Sequence, residues 1–317
     1  MTLLIQYTLI FASVLMLVAL GGCFAERSGV INIGLEGIMV IGALGGALVL
    51  KFMPVSVGAP VMVITTVIVS ALFGMVFSLL LAVAAINFKA DQTITGTAMN
   101  MLATAAATVA VKAMNTAASG GNDVSSDISY TRTKDLLLVH VGGFELNWFM
   151  LVAVLCLIAA YVALYKTRFG LRLRACGEHP QAADSVGINV YKMRYAGVLL
   201  SGLLGGLGGI VYITAGVSVW KFENGVAGFG FLALAVMIFG NWKPLPILGA
   251  SLLFALFKVI AALNATLTFL PKFEGVKEIS NFYQMLPYIV TMIVLIFTSK
   301  NSQAPKAEGI PYDKGSR

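Results

Sequence analysis

The sequence predicts an all-α, polytopic transmembrane bundle of about eight to ten spans with one or two broken helices. Of its 317 residues, 59% are hydrophobic and 11% charged, against about 25% charged in a soluble domain. Mean hydropathy is +0.91. Several stretches run about 20 residues without Asp, Glu, Lys or Arg, the length a helix needs to cross about 30 Å of hydrocarbon. They are continuously apolar rather than alternating, which argues against a β-barrel.

The apolar segments lie near 3–23, 30–50, 55–88, 94–114, 147–165, 195–219, 226–241, 245–263 and 285–298. The first ends in Leu20-Gly21-Gly22-Cys23, the pattern of a lipoprotein cleavage site. It lacks the basic n-region of a signal peptide and is read as a first transmembrane helix. Gly29, Gly34 and Gly37 open the second segment, and Gly225, Gly228 and Gly230 open the seventh. Broken or re-entrant helices are expected at both places. Gly42 with Gly46, Gly202 with Gly206 and Gly205 with Gly209 have GxxxG spacing, which predicts close helix packing. Trp148 and Trp220 read as interfacial anchors.

Loops supply the orientation. Residues 166–194 hold Lys166, Arg168, Arg172, Arg174, Lys192 and Arg194 against Glu178 and Asp184, so the positive-inside rule puts them in the cytoplasm. Residues 115–146 mix both signs and become external. The domain reading is a membrane domain over 1–299 and a cytoplasmic tail over 300–317, whose Pro, Gly and Ser content predicts disorder. Because the net charge of +7 collects in a few loops and the tail, it points to membrane orientation and not to nucleic acid. The three cysteines suggest reduced structural thiols, and His140 and His179 stand too far apart to support a metal site.

Within the basic loop, Pro180-Gln-Ala-Ala-Asp-Ser-Val186 reads as a short helix, with Pro in its first turn and Gly187 just past its end. Ala182, Ala183 and Val186 would form a compact knob suited to a groove on another protein. The stretch Arg174-Ala-Cys-Gly-Glu-His-Pro-Gln-Ala-Ala-Asp-Ser-Val-Gly-Ile188 resembles the coupling-helix segment of ABC importer permeases in the branched-chain amino acid, ribose and nucleoside group. Glu26-Arg-Ser-Gly-Val-Ile-Asn-Ile-Gly-Leu-Glu-Gly37 resembles the N-terminal signature of the same group, in the branch associated with nucleosides or simple sugars. The resemblance implies that Gly177, Glu178, His179, Pro180, Ala182, Ala183, Val186 and Gly187 couple the chain to a cytoplasmic ABC ATPase. It also implies a second, homologous permease subunit, an extracellular substrate-binding lipoprotein and a bacterial cell membrane location.

Two polar features could line a path. Glu36 would cost about 2.5–3.5 kcal/mol if it faced lipid; with Asn32 four residues earlier, the two share a face if the segment is helical. They could bond backbone groups freed by the glycines, or touch substrate. Thr93, Thr97, Asn100, Thr104 and Thr108 recur at spacings of three or four, one face of a helix. Interhelical bonding and a translocation path both fit them, and Asn100 is the member expected in the path. Neutral donors and acceptors suit a nucleoside.

The expected function is therefore a permease subunit with no catalytic chemistry, translocating nucleosides delivered by an external binding protein. The chain has no GxxxxGK[ST] phosphate loop, so ATP is expected on the partner ATPase. Alternatives are an ABC permease for a simple sugar or branched-chain amino acid, and an ion-coupled secondary transporter using Glu36. A membrane-embedded enzyme has less support still.

Overall fold

The computed structural model describes residues 2–141, 144–263, 285–286, 289–290, 292–293, 296 and 303–315. Among the described residues, seven helices are long and apolar enough to cross a membrane: α1 (Thr2–Arg27), α2 (Leu35–Phe52), α3 (Ala59–Ala82, continued by a π-helical turn to Asn87), α4 (Gln92–Ala118), α6 (Trp148–Lys166), α9 (Val190–Thr214) and α11 (Pro244–Ala262). Shorter helices are α5 (Thr131–Lys134), α7 (Arg168–Glu178), α8 (Pro180–Ser185) and α10 (Phe229–Phe239). The expected segment at 285–298 lies largely outside the described residues.

Side-chain caps start four of these helices. Asp91, Asn147, Thr167 and Asn189 each accept a backbone N–H from the first turn of α4, α6, α7 and α9, satisfying donors that helix geometry leaves free. α9 begins five residues earlier than the apolar run implied, which absorbs the end of the basic loop into a helix.

Helices α1, α2 and α9 form the centre, and α3, α4 and α6 the outer shell. In lipid, where burial of apolar surface does not drive association, backbone proximity and hydrogen bonds must. A Cβ at Gly42 would overlap Gly206, and one at Gly209 would overlap the Met39 carbonyl. Ser70 Oγ, from α3, lies 2.6 Å from the Gly42 carbonyl oxygen and 2.8 Å from that of Gly206. The GxxxG glycines thus join α2, α3 and α9. On the outside, Ile64, Ile68 and Val76 of α3, Met101 and Val109 of α4, and Leu151 and Leu155 of α6 are exposed, as a lipid-facing or subunit-facing surface requires.

Two small antiparallel ribbons close one end: β1 (Asp127–Ser129) with β4 (Val219–Lys221), and β2 (Leu138–Val141) with β3 (Phe144–Asn147). Tyr130 donates to the Ile213 carbonyl at 2.6 Å and Thr133 to that of Leu50 at 2.8 Å, tying the loop between α4 and α6 to the ends of α2 and α9. Trp220, in β4, packs edge-on against Tyr212 at 5.4 Å, and Tyr212 in turn lies 4.5 Å from the Phe229 ring.

The opposite end holds α7, α8 and residues 303–315. The tail expectation needs correction here: residues 303–315 pack, with Ala307 and Tyr312 buried. Its polar composition hid backbone and ion-pair anchors that do not depend on hydrophobicity.

Candidate translocation path and coupling surface

Residues 28–34 are non-helical, and they carry Asn32 into the bundle. Its side-chain N–H donates to Ser201 Oγ at 2.8 Å. Ser201 lies about 16 Å along α9 from its first residue, at 1.5 Å per residue. Asn32 is fully buried, and its Oδ1 has no hydrogen-bond partner among the described residues. The helical-face pairing of Asn32 with Glu36 does not form, because α2 starts only at Leu35; the glycines that flagged an interruption also placed Asn32 outside the helix.

Glu36 faces the other irregular segment. Its Oε1 accepts the Gly228 N–H and its Oε2 the Gly230 N–H, both at 2.7 Å. These amides open α10, so the carboxylate caps a helix N-terminus, where both free N–H groups and the helix dipole favour an anion. Helix α10 is 11 residues long, about 16 Å, half a span. The chain enters it through Phe222–Asn224 and Gly225–Gly228, giving the expected broken helix. Its far end is also pinned: the Trp242 indole donates to Glu26, and Arg27 Nε donates to the Trp242 carbonyl at 3.2 Å.

Asn100 holds the first irregular segment. It accepts the Gly37 N–H at 2.8 Å and donates to the Ile33 carbonyl at 3.0 Å. Its geometry supports the bonding alternative. Thr97, exposed, donates to the Thr93 carbonyl at 2.8 Å, and half-buried Thr104 donates to that of Asn100 at 3.3 Å. A hydroxyl that donates to its own helix keeps lone pairs to accept from another molecule. The buried face of α4, including Gly96, Met99, Ala103 and Ala107, packs inward, and the threonines run along the edge of the open face. Above them Lys112 meets Glu223 at 2.6 Å, with Lys221 at 3.2 Å; hydrogen bonding to Lys112 and then Lys221 holds the Glu223 carboxyl below its ordinary value.

The short helix expected in the basic loop forms within one residue of its expected bounds: α8 runs Pro180–Ser185 and Gly187 has φ +82°, a conformation that favours glycine. Ala182 and Val186 are exposed, as are His179 and Gly187. Ala183 is not part of the knob. It is 3% exposed and packs with Cys176, Val190 and Tyr312, because a single helical turn alternates between protein and solvent. Pro180 and Gly177 are also buried. Glu178 lies 3.8 Å from Arg27. Burial pushes the Cys176 thiol up to about 11, consistent with a structural thiol.

Two features went unread in the sequence. Helix α7 carries the basic residues on an amphipathic turn whose Gly170, Leu173, Cys176 and Gly177 face inward, a spacing of three and four that could have revealed it. Arg194, counted as a loop charge, is 1% exposed and donates to the Ile310 carbonyl at 2.9 Å; no local pattern signals that.

Comparison with known proteins adds the lineage. The chain is 41% identical over 322 residues to the guanosine ABC transporter permease protein NupQ of Bacillus subtilis (strain 168), covering 100% of this chain and 98% of the relative. It is 40% identical to the nucleoside ABC transporter permease protein NupC of Lactococcus lactis subsp. cremoris (strain MG1363), covering 96% and 95%. NupB, a second nucleoside ABC transporter permease protein of that organism, is 25% identical over 76% of this chain and 67% of its own length. No solved structure matches. Residues 4–298 match the family described as "Branched-chain amino acid transport system / permease component", and the chain belongs to that family.

Proposed function

We propose that this chain is the membrane permease subunit of an ABC importer that takes up nucleosides. The observation that carries the reading is identity of 40% or more, over nearly the full length, to permeases named for guanosine and nucleosides. In this reading an extracellular binding lipoprotein delivers the nucleoside, and a separate cytoplasmic ATPase supplies the ATP and drives alternating access. A homologous subunit completes the membrane pair, supported by the resemblance of this chain to both NupC and NupB.

The end bearing α7, α8 and residues 303–315 is assigned to the cytoplasm of a bacterial cell. It gathers Lys166, Arg168, Arg172, Arg174, Lys192, Lys306 and Lys314, and the positive-inside rule places such an excess there. The exposed Ala182 and Val186 would seat in the ATPase, with Gly177, Glu178, His179, Pro180, Ala183 and Gly187 setting the position of α8. In the membrane, Thr97 and Thr104 offer neutral acceptors to sugar hydroxyls and base N–H groups, while Asn32, Glu36 and Asn100 hold the irregular segments that shape the path. An ion-coupled carrier would need Glu36 as an exchangeable carboxylate, but both oxygens are occupied by backbone amides.

Proteoliposomes containing the complete complex provide the test. Guanosine and other nucleosides should enter only with ATP, while ribose and branched-chain amino acids should not. Uptake by this chain alone without ATP would replace the reading with an ion-gradient carrier. ATP-driven uptake of ribose alone would retain the importer and change its substrate.

A further inference from the structure

Residues 303–315 make a series of contacts across the end of the bundle that carries α8. Gln303 N–H donates to Asn241 Oδ1 at 3.0 Å, just beyond α10. Ala307 N–H donates to the Gly177 carbonyl at 2.8 Å, at the end of α7. The Glu308 carboxyl lies partly buried beside Glu26 of α1. Arg194 of α9 donates to the Ile310 carbonyl at 2.9 Å. The Tyr312 ring meets Tyr191 edge-on at 5.3 Å and joins the buried cluster of Cys176, Ala183 and Val190. Asp313 pairs with Lys89, between α3 and α4, at 2.9 Å.

Helix α8 has little else to hold it. It is six residues long, too short to be stable by its own hydrogen bonds, and only Pro180 and Ala183 are buried. Tyr312 completes the pocket around Ala183. Two clefts of about 200 and 190 Å³ lie between α8 and the tail, the first lined by Gln181, Asp184 and Tyr312, the second by His179, Lys306 and Ile310. The tail therefore flanks the helix on two sides. Its other anchors fall at the ends of α1, α9 and α10, and α10 is the half-helix whose opposite end is capped by Glu36.

We propose that residues 303–315 are a positioning strap, which fixes α8 to the ends of α1, α9 and α10 so that a displacement of α8 moves those helices with it. The transmission part rests on the reading of α8 as the ATPase-facing helix; the fixing of α8 does not. A disordered tail would leave α8 joined to the bundle only through its chain neighbours and one turn of apolar contact. With the strap in place, α8 and the lower end of the broken helix share one rigid support.

The test compares the intact chain with one ending at Ser302. In detergent and without partners, hydrogen exchange is read at the amides of Ala183, Gly187 and Ile188, which bond within and just beyond α8. The strap predicts at least about tenfold faster exchange in the shortened chain, as local opening becomes easier. Unchanged exchange overturns it. In the reconstituted complex, nucleoside taken up per ATP hydrolysed should fall about tenfold while hydrolysis continues, the signature of lost transmission and not of lost assembly. An unchanged ratio overturns the transmission. If the intact complex shows no ATP-driven uptake, the functional reading has failed, and the exchange result still decides whether the strap exists. Should the shortened chain fail to fold, the full-length double variant Tyr312→Ala with Asp313→Ala removes two anchors and is held to the same outcomes.

Discussion

Glu36 and Asn100 each join one irregular segment to a helix, and the consequence is a stability role that can be separated from transport. Glu36→Ala would strand the Gly228 and Gly230 amides at the start of α10, at a cost of about 2–3 kcal/mol. Glu36→Gln keeps one acceptor and should cost about half as much. Thermal unfolding in detergent reads both; a coupling carboxylate would instead lose transport in Glu36→Gln at unchanged melting temperature. Asn100→Ala frees the Gly37 N–H and the Ile33 carbonyl, and a drop of about 1–3 kcal/mol is expected. A melting temperature equal to that of the parent would return Asn100 to a purely path-lining role. Residue type alone made Glu36 and Asn100 noticeable in the sequence, but their partners lie 192 to 194 and 63 to 67 positions away. Nothing local encodes such pairings.

At the scale of elements, α8 separates contact from support within two adjacent residues. Ala182→Asp places a carboxylate on the exposed knob, where it leaves the fold alone. Buried unpaired against an ATPase it would cost about 3 kcal/mol or more, about a hundredfold in affinity. Co-purification of the ATPase should fail while the melting temperature holds. Ala183→Asp instead buries charge among Cys176, Val190 and Tyr312 and should lower the melting temperature of the isolated permease. Equal behaviour of the two variants would contradict the placement of α8. The limits of this helix were legible because Pro180 and Gly187 act locally, one by fixing φ and the other by accepting positive φ. The long helices were legible for the same reason: apolar length is a property of consecutive residues. Helix α7 was obscured because its basic residues mark a loop by composition while its small inward face marks a helix by spacing. The broken helix α10 could be anticipated from Gly225, Gly228 and Gly230, but its capping by α2 could not.

For the whole molecule, the strap makes the arrangement of one end of the bundle depend on pH. Burial raises the Glu308 carboxyl above its ordinary value, and its hydrogen bond to Glu26 and the charge of Arg27 only partly offset this. The nearby groups are Glu26 and Arg27 from α1, Glu178 from α7 and the Trp242 indole after α10. A docked tail thus holds a proton that an undocked tail releases more readily. Below the ordinary carboxylate value both states are protonated, and the docking contribution is fully present. As pH rises from there through the raised value, the undocked state loses its proton first and docking weakens; above it the loss levels off. The amide of Ala307, which donates to Gly177, reports this directly. Its protection, corrected for intrinsic exchange, should fall across that window in the parent and fall less in Glu308→Gln, which keeps the shape of the side chain and loses one of the two titrating carboxyls. Equal slopes for the two chains would show that the Glu308 carboxyl does not govern docking. A shallower variant beside a sloping parent would tie attachment of the tail to the Glu308 carboxyl, whose proton the docked contact with Glu26 retains.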